Sequence, residues 1–208
     1  RYWFRSVEAN APWVNKVFLV TNGTFPKWIN PNHPKLVLVK HSDYIPKKFL
    51  PTFNSCTIEL HMNKIKGLSE HFVYFNDDCY INAPVGPEYY FKKGLPCDSN
   101  KENLFSAPEY DPIGKFYIYM SILADIGVIN RYFRRGRVWR HSLRRWFGVH
   151  LGIGGFLTSL ILALKRSGRF IGFYNHHIEQ PYLKSVFEEA WTKEKDMLEQ
   201  SCTRFRDL

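Results

Sequence analysis

Hydrophobic and polar positions follow two alternating rhythms over the first 80 residues. Residues 1–10 set Tyr2, Trp3, Phe4 and Val7 among polar neighbours at helical spacing, and Pro12 closes the segment. Residues 16–21 (KVFLVT) form a short apolar run typical of a buried strand and end in the turn Asn22-Gly23. Residues 35–39 (KLVLV) repeat that pattern between Pro34 and the polar His41-Ser42-Asp43. Asn54 or Ser55 can cap a helix predicted to about residue 65, with Ile58, Met62 and Ile65 facing a core and Gly67 ending it. Residues 71–75 (HFVYF) predict a third strand running into Asn76-Asp77-Asp78. Strands and helices alternating over short connections predict an α/β fold with a mainly parallel, Rossmann-like sheet and flanking helices. Ligands in such sheets bind beyond the carboxyl ends of the strands. Thr21-Asn22-Gly23 and Asn76-Asp77-Asp78 both lie at such ends.

The pattern then changes. Residues 84–112 are rich in Pro, Gly and polar side chains and predict a long loop with little regular structure. Helical spacing returns over residues 116–133, 138–147, 151–165 and 181–202, an annex to the sheet. The organisation expected is a single domain in three segments: sheet-forming 1–82, variable loop and helices 83–168, and a closing segment 169–208. The most apolar stretch, residues 149–164, is interrupted by His150, Gly152, Gly154 and Gly155. It is shorter than the roughly 20 residues of a membrane span, so it predicts a buried helix.

Composition narrows the partners. Hydrophobic residues at 45% and charged residues at 23% exclude wholesale disorder. A net charge of +10 favours anionic partners: nucleic acid, an acidic membrane surface or phosphorylated small molecules. Arg131, Arg134, Arg135, Arg137, Arg140, Arg144 and Arg145, with Tyr132, Phe133, Trp139 and Trp146 between them, read as a basic helical face. It suits acidic lipid or a polyanionic product; binding to RNA is the alternative, although no nucleic-acid motif accompanies the run. Gly152-Ile153-Gly154-Gly155 follows no strand and is no dinucleotide fingerprint. Four cysteines without a C-x-x-C pair point to reduced, mostly buried thiols rather than a zinc site or disulfide scaffold.

Three places could carry chemistry. Asn76-Asp77-Asp78 offers oxygen ligands for Mg²⁺ or Mn²⁺, or is a polar turn of the kind that follows many strands. His176-His177 offers a general base titrating near neutrality, or caps the helix predicted from Pro181. Arg204 and Arg206 have a spacing that can grip a phosphate, or form an exposed basic tail.

Blocks of residues are more specific than any one of these. Arg1-Tyr2, Arg5-Ser6-Val7-Glu8 and Ala11-Pro12-Trp13-Val14 lead to Val20-Thr21-Asn22-Gly23, then Pro26, Trp28 and His41-x-Asp43. Leu50-Pro51-Thr52-Phe53-Asn54-Ser55, Ile58-Glu59, His61, Ile65, Gly67-Leu68-Ser69 and Phe75-Asn76-Asp77-Asp78 follow. This order and spacing closely resemble the second block of the Stealth family of polysaccharide and lysosomal-enzyme phosphotransferases. His176-His177-Ile178-Glu179-Gln180-Pro181 and Thr203-Arg204-Phe205-Arg206 resemble its third block. The family's first and fourth blocks are not in the sequence, and Glu179 stands where many relatives have proline.

The resemblance implies transfer of a sugar 1-phosphate from a UDP-N-acetylhexosamine to a glycan acceptor hydroxyl, with Mg²⁺ or Mn²⁺ as cofactor. It implies that Asp77 and Asp78 hold the metal, that His177 is the base, and that Arg206 lies near the phosphates. Asn54, Ser55, Glu59, His61 and Lys64 would line the sugar-phosphate pocket, Thr21, Asn22 and Gly23 would contact the nucleotide, and Arg5 and Arg204 would add substrate contacts. A metal-dependent glycosyltransferase releasing UDP is the nearest alternative, and a basic binding module the next. No nucleic-acid partner is expected, and homo-oligomerisation stays open. Asn22-Gly23-Thr24 is a glycosylation sequon, but a glycan there would crowd the pocket; a bacterial cytoplasmic setting at the inner membrane face is therefore expected.

Overall fold

A computed structural model describes residues 1–99, 101–103, 115–164, 168–174 and 176–203. The chain divides into two compact units, residues 1–98 with 177–208, and residues 99–176.

The first unit opens with helix α1 (Tyr2–Asn10), whose Val7 is buried. Strand β1 (Val17–Thr21) pairs in parallel with β2 (Leu36–Lys40), Val17 opposite Leu36 and Thr21 opposite Lys40. A short helix α2 (His41–Tyr44) follows, then α3 (Ser55–Leu60). The Asn54 side chain caps α3, accepting from Cys56 N–H at 3.0 Å. That helix stops five residues earlier than its apolar spacing predicts, and a tight turn, Met62–Lys64, completes the path to Gly67. Gly67 has φ +81°, the left-handed conformation that suits glycine after a helix. Strand β3 (His71–Tyr74) comes next. The region expected to be irregular holds helix α4 (Pro87–Tyr90) and a hairpin of β4 (Phe91–Lys92) and β5 (Leu95–Pro96), turned at Lys93-Gly94. Residues 104–112 of that expected loop lie outside the described residues.

The second unit is helical: α5 (Lys115–Tyr132), α6 (Arg135–His141), α7 (Leu143–Trp146) and α8 (Gly152–Leu164). A break at Ser142 divides what spacing predicted as one helix over 138–147. Its core packs Trp139, Trp146, Leu162 and Phe170. Glu102 is buried there beside Arg135, 3.8 Å away, and accepts from the Trp139 indole N–H at 2.9 Å.

The chain returns to the first unit as β6 (Gln180–Leu183), α9 (Lys184–Lys193) and α10 (Lys195–Thr203). Here the structure corrects the expectation of a helix from Pro181. Residues 180–183 pair antiparallel with β3, Tyr74 opposite Gln180 and His71 opposite Leu183. Proline has no N–H to donate, which suits it to an edge strand such as this. Tyr182 packs its ring against Phe72 and Phe187, burying aromatic surface across the pair.

The fold is α/β, with three two-stranded sheets among the described residues rather than one continuous parallel sheet. The two larger pairs nonetheless present matching faces. Phe18 and Val20 of β1, and Phe72 and Tyr74 of β3, pack on one core around Tyr44, Ile45, Phe49 and Met62. Val17 and Phe75 pack on the opposite core, around Val7, Ala11 and Ile81. α10 is tied to α3 by Asn54 Nδ2 donating to Ser201 O at 2.9 Å and Thr57 Oγ1 donating to Cys202 O at 3.2 Å.

Candidate active site

The antiparallel register decides what meets beyond the end of β3. Continued three residues past the Tyr74–Gln180 pair, it sets His177 opposite Asp77 and next to Asp78. The side chains follow that geometry. His177 Nε2 lies 3.2 Å from both carboxylate oxygens of Asp78, across 99 residues of sequence. Both side chains are well exposed, at 68% and 65%, so substrate can reach them.

Cys79 completes the cluster from below. It is buried, its Sγ lies 3.7 Å from Asp78 Oδ1, and it lies 3.9 Å from the carbonyl of His177. The flanking segments are held in place. Tyr90, 2% exposed, donates its hydroxyl to Glu179 Oε1 at 3.3 Å, fixing the chain two residues after His177. Tyr74 O–H lies 2.7 Å from Asn76 Oδ1 and 3.2 Å from Glu59 Oε1, so its single proton serves one of them at a time. Sequence spacing missed Cys79, Tyr74 and Tyr90 as parts of the site. The only advance signal was the aromatic density around the acidic pair.

Charge follows from these contacts. The hydrogen bond with His177 holds the Asp78 carboxyl below its ordinary range, so it is an anion at neutral pH. Burial, then the neighbouring Asp78 charge, pushes the Cys79 thiol up, so it stays protonated and is a poor ligand or nucleophile. Burial raises Glu59, partly offset by the Tyr74 hydroxyl.

Could these residues hold a divalent cation? Asp78, Cys79 and His177 each offer an atom, all within 4.8 Å of one another. The 3.2 Å separation of His177 Nε2 and Asp78 is that of a hydrogen bond, so a cation shared by these two would replace it, whereas one held by carboxylate oxygens of Asp77 and Asp78 would leave His177 its hydrogen. Carboxylate oxygens of this kind suit Mg²⁺ or Mn²⁺. The exposed Asp77 adjoins this cluster without belonging to it.

The other expected positions are spread over the first unit. Asn54 is engaged in capping and in the link to α10, and Ser55 begins α3. His61 is fully buried, bonded to Thr57 O at 2.9 Å and packed between Phe49 and Trp191. With Lys64, Lys48, Lys195 and Trp191 it lines a cavity of about 370 Å³ that includes none of Asp78, Cys79 and His177. Thr21 Oγ1 accepts from Gly23 N–H at 3.0 Å and Asn22 Oδ1 from Thr24 N–H at 3.1 Å, shaping the turn after β1. The exposed Arg5 lies over the Tyr2 ring, 6.0 Å from its centroid. Arg204 and Arg206 lie outside the described residues.

Known proteins share this framework. Residues 1–98 match the family model for Stealth protein CR2, conserved region 2. The chain is 36% identical to a capsular polysaccharide phosphotransferase, eps5J, of Streptococcus thermophilus, over 98% of this chain and 79% of that protein. The chain belongs to the Stealth family. It is also 42% identical to the capsular polysaccharide phosphotransferase WcwK of Streptococcus pneumoniae, over 99% of this chain and 60% of the relative. It is 40% identical to the receptor polysaccharide phosphotransferase WefC of Streptococcus oralis, over 100% of this chain and 60% of the relative. The chain thus spans about 60% of the length of those two relatives. The likeness to them also runs through the helical unit, well beyond the blocks from which the family was first legible.

Proposed function

We propose that the protein of which this chain forms part is a polysaccharide phosphotransferase. It moves an N-acetylhexosamine 1-phosphate from a UDP-sugar to a hydroxyl of a glycan acceptor in capsule or exopolysaccharide synthesis. Relatives named as phosphotransferases support the reaction class. The observation that carries the reading is the reachable Asp78–His177 contact beyond the end of β3.

The step is a displacement at phosphorus. The acceptor oxygen bonds to the phosphorus that carries the sugar, the bond from that phosphorus to the UMP oxygen breaks, and a phosphodiester and UMP result. The acceptor's proton passes to His177. With Nε2–H donating to the Asp78 carboxylate, Nδ1 carries the lone pair that takes the proton. The carboxylate also offsets the charge of the imidazolium that forms, as an orienting acid does for a catalytic histidine. Asp77 and Asp78 are the residues that would hold Mg²⁺ or Mn²⁺; such an ion neutralises diphosphate oxygens and the leaving nucleotide. Arg206 would counter the non-bridging oxygens. We also infer that the β1–β2 and β3–β6 pairs are parts of one sheet, joined by a strand from elsewhere in a longer protein. The matching faces of the two pairs support this.

The test supplies UDP-N-acetylglucosamine, a glycan acceptor and Mn²⁺ or Mg²⁺ to the complete protein and identifies the nucleotide released. UMP is expected, with turnover lost on chelation and restored by the cation. Release of UDP would instead make the protein a glycosyltransferase, and chelator-resistant turnover would remove the metal from the site.

A further inference from the structure

Helix α8 turns the usual pattern of a water-soluble helix inside out. Its sequence, GIGGFLTSLILAL, contains no charged residue and predicts a helix buried all round. The structure buries one narrow stripe, made mainly of small side chains: Gly155, Ser159 and Leu162, continuing from Leu151. A neighbour approaches that stripe closely: a Cβ added at Gly155 would stand 3.4 Å from Lys101 Cε. The large apolar residues lie on the outer side. Ile153, Phe156, Leu157, Leu160, Ile161 and Leu164 are 38–83% exposed, at the spacing of a single helical face. A contiguous patch of this kind marks an interaction surface.

Charge around the patch identifies what it meets. Residues 99–176 contain 12 Lys and Arg against 4 Asp and Glu, so this unit carries +8 of the chain's +10. No carboxylate occurs on α6, α7 or α8. Arginines approach both ends of the apolar face. His150, just before α8, bonds the Arg145 carbonyl at 3.0 Å, which places the Arg144-Arg145 pair at the start of the helix. Arg135 is buried and donates to Leu162 O at 2.7 Å, which places the exposed Arg134 and Arg137 near the other end.

We propose that this unit docks on an anionic phospholipid bilayer, with α8 lying in the plane of the interface. The aliphatic side chains enter the acyl boundary while the flanking guanidinium groups stay among acidic headgroups. Both features are needed to choose the partner. RNA offers nothing for six apolar side chains, and a second copy of the chain would bring a second +8 surface against the first. The helix has 13 residues, about 20 Å at the helical rise, and no helix among the described residues is long and apolar enough to cross a membrane. An in-plane helix fits that length. Docking is independent of the reaction proposed above.

The experiment measures co-sedimentation of the complete protein with vesicles of phosphatidylcholine alone or with about a third phosphatidylglycerol. Binding to the acidic vesicles should be at least tenfold tighter, and should weaken with salt without vanishing. Leu157→Gln with Leu164→Gln, both at exposed positions, should lower the affinity at least tenfold at unchanged helix content. Arg134→Gln with Arg144→Gln should do the same and flatten the salt dependence. No vesicle binding by the wild-type protein overturns the proposal, as does binding that ignores the leucine changes. Burial of the leucines in a concentration-dependent dimer, or displacement from vesicles by RNA at equal charge, overturns it in favour of those partners.

Discussion

Asp78→Asn exchanges one oxygen for nitrogen at the contact with His177 and keeps the shape of the side chain. Its two consequences should differ sharply in size. The paired side chains are 65% and 68% exposed, so water replaces in the fold most of what each offers the other. Exposed ion pairs contribute little to stability, and the thermal midpoint should move by no more than about 3 °C. Turnover should respond far more. A positioned general base is worth roughly 10² to 10⁴ in rate, so His177→Ala should lose at least a hundredfold. Asp78→Asn should lose at least as much, because it removes both the partner of the imidazole and an oxygen of the proposed cation site. The double variant should be no slower than the slower single one, within about threefold, since groups acting as a unit are not additive. The assay is nucleotide release by the complete protein at saturating donor, run beside a thermal melt of each variant. Losses that multiply in the double variant would refute the pairing. So would losses that stay within a few-fold, or that track a large fall in the midpoint.

Two further predictions concern the scaffold. Burial pushes the Glu102 carboxyl up to about 7, against the opposing pull of Arg135 and the Trp139 indole. The folded value exceeds the ordinary 4.5, so its stabilising contribution is complete below the unfolded value and is lost as pH rises through the folded one. Melts followed by tryptophan fluorescence should show the helical unit weakening between pH 5 and 8. Glu102→Gln should flatten that slope, and stability rising over the same interval through Glu102 would contradict the assignment. His61, fully buried between Phe49 and Trp191, should lose about 2–4 kcal/mol on conversion to alanine, by analogy with large-to-small core changes. Urea unfolding measures it, and a loss under about 1 kcal/mol would mean that the cavity there collapses freely.

The sequence by itself determined the elements whose signal is local. Residues 16–21 and 35–39 had to be strands because continuous branched and aromatic side chains leave no polar face for a helix to show. Asn54 could be read as a cap because its short side chain reaches a backbone N–H two residues on. The acidic pair, the histidine and the family were legible from residue order alone.

Only tertiary structure decided how these parts meet. Apolar spacing from Pro181 reads as helix, and pairing with β3, where Val73 lies opposite Pro181 from 108 residues away (181 − 73), made its first residues a strand. That pairing is antiparallel, and its register carries His177 to Asp78 instead of leaving it as the cap of a helix. The outward face of α8 was hidden for a related reason. A run of apolar residues states that water is unfavourable around it, but which side finds protein depends on what packs there, and Gly155 and Ser159 were the residues small enough to let a neighbour approach.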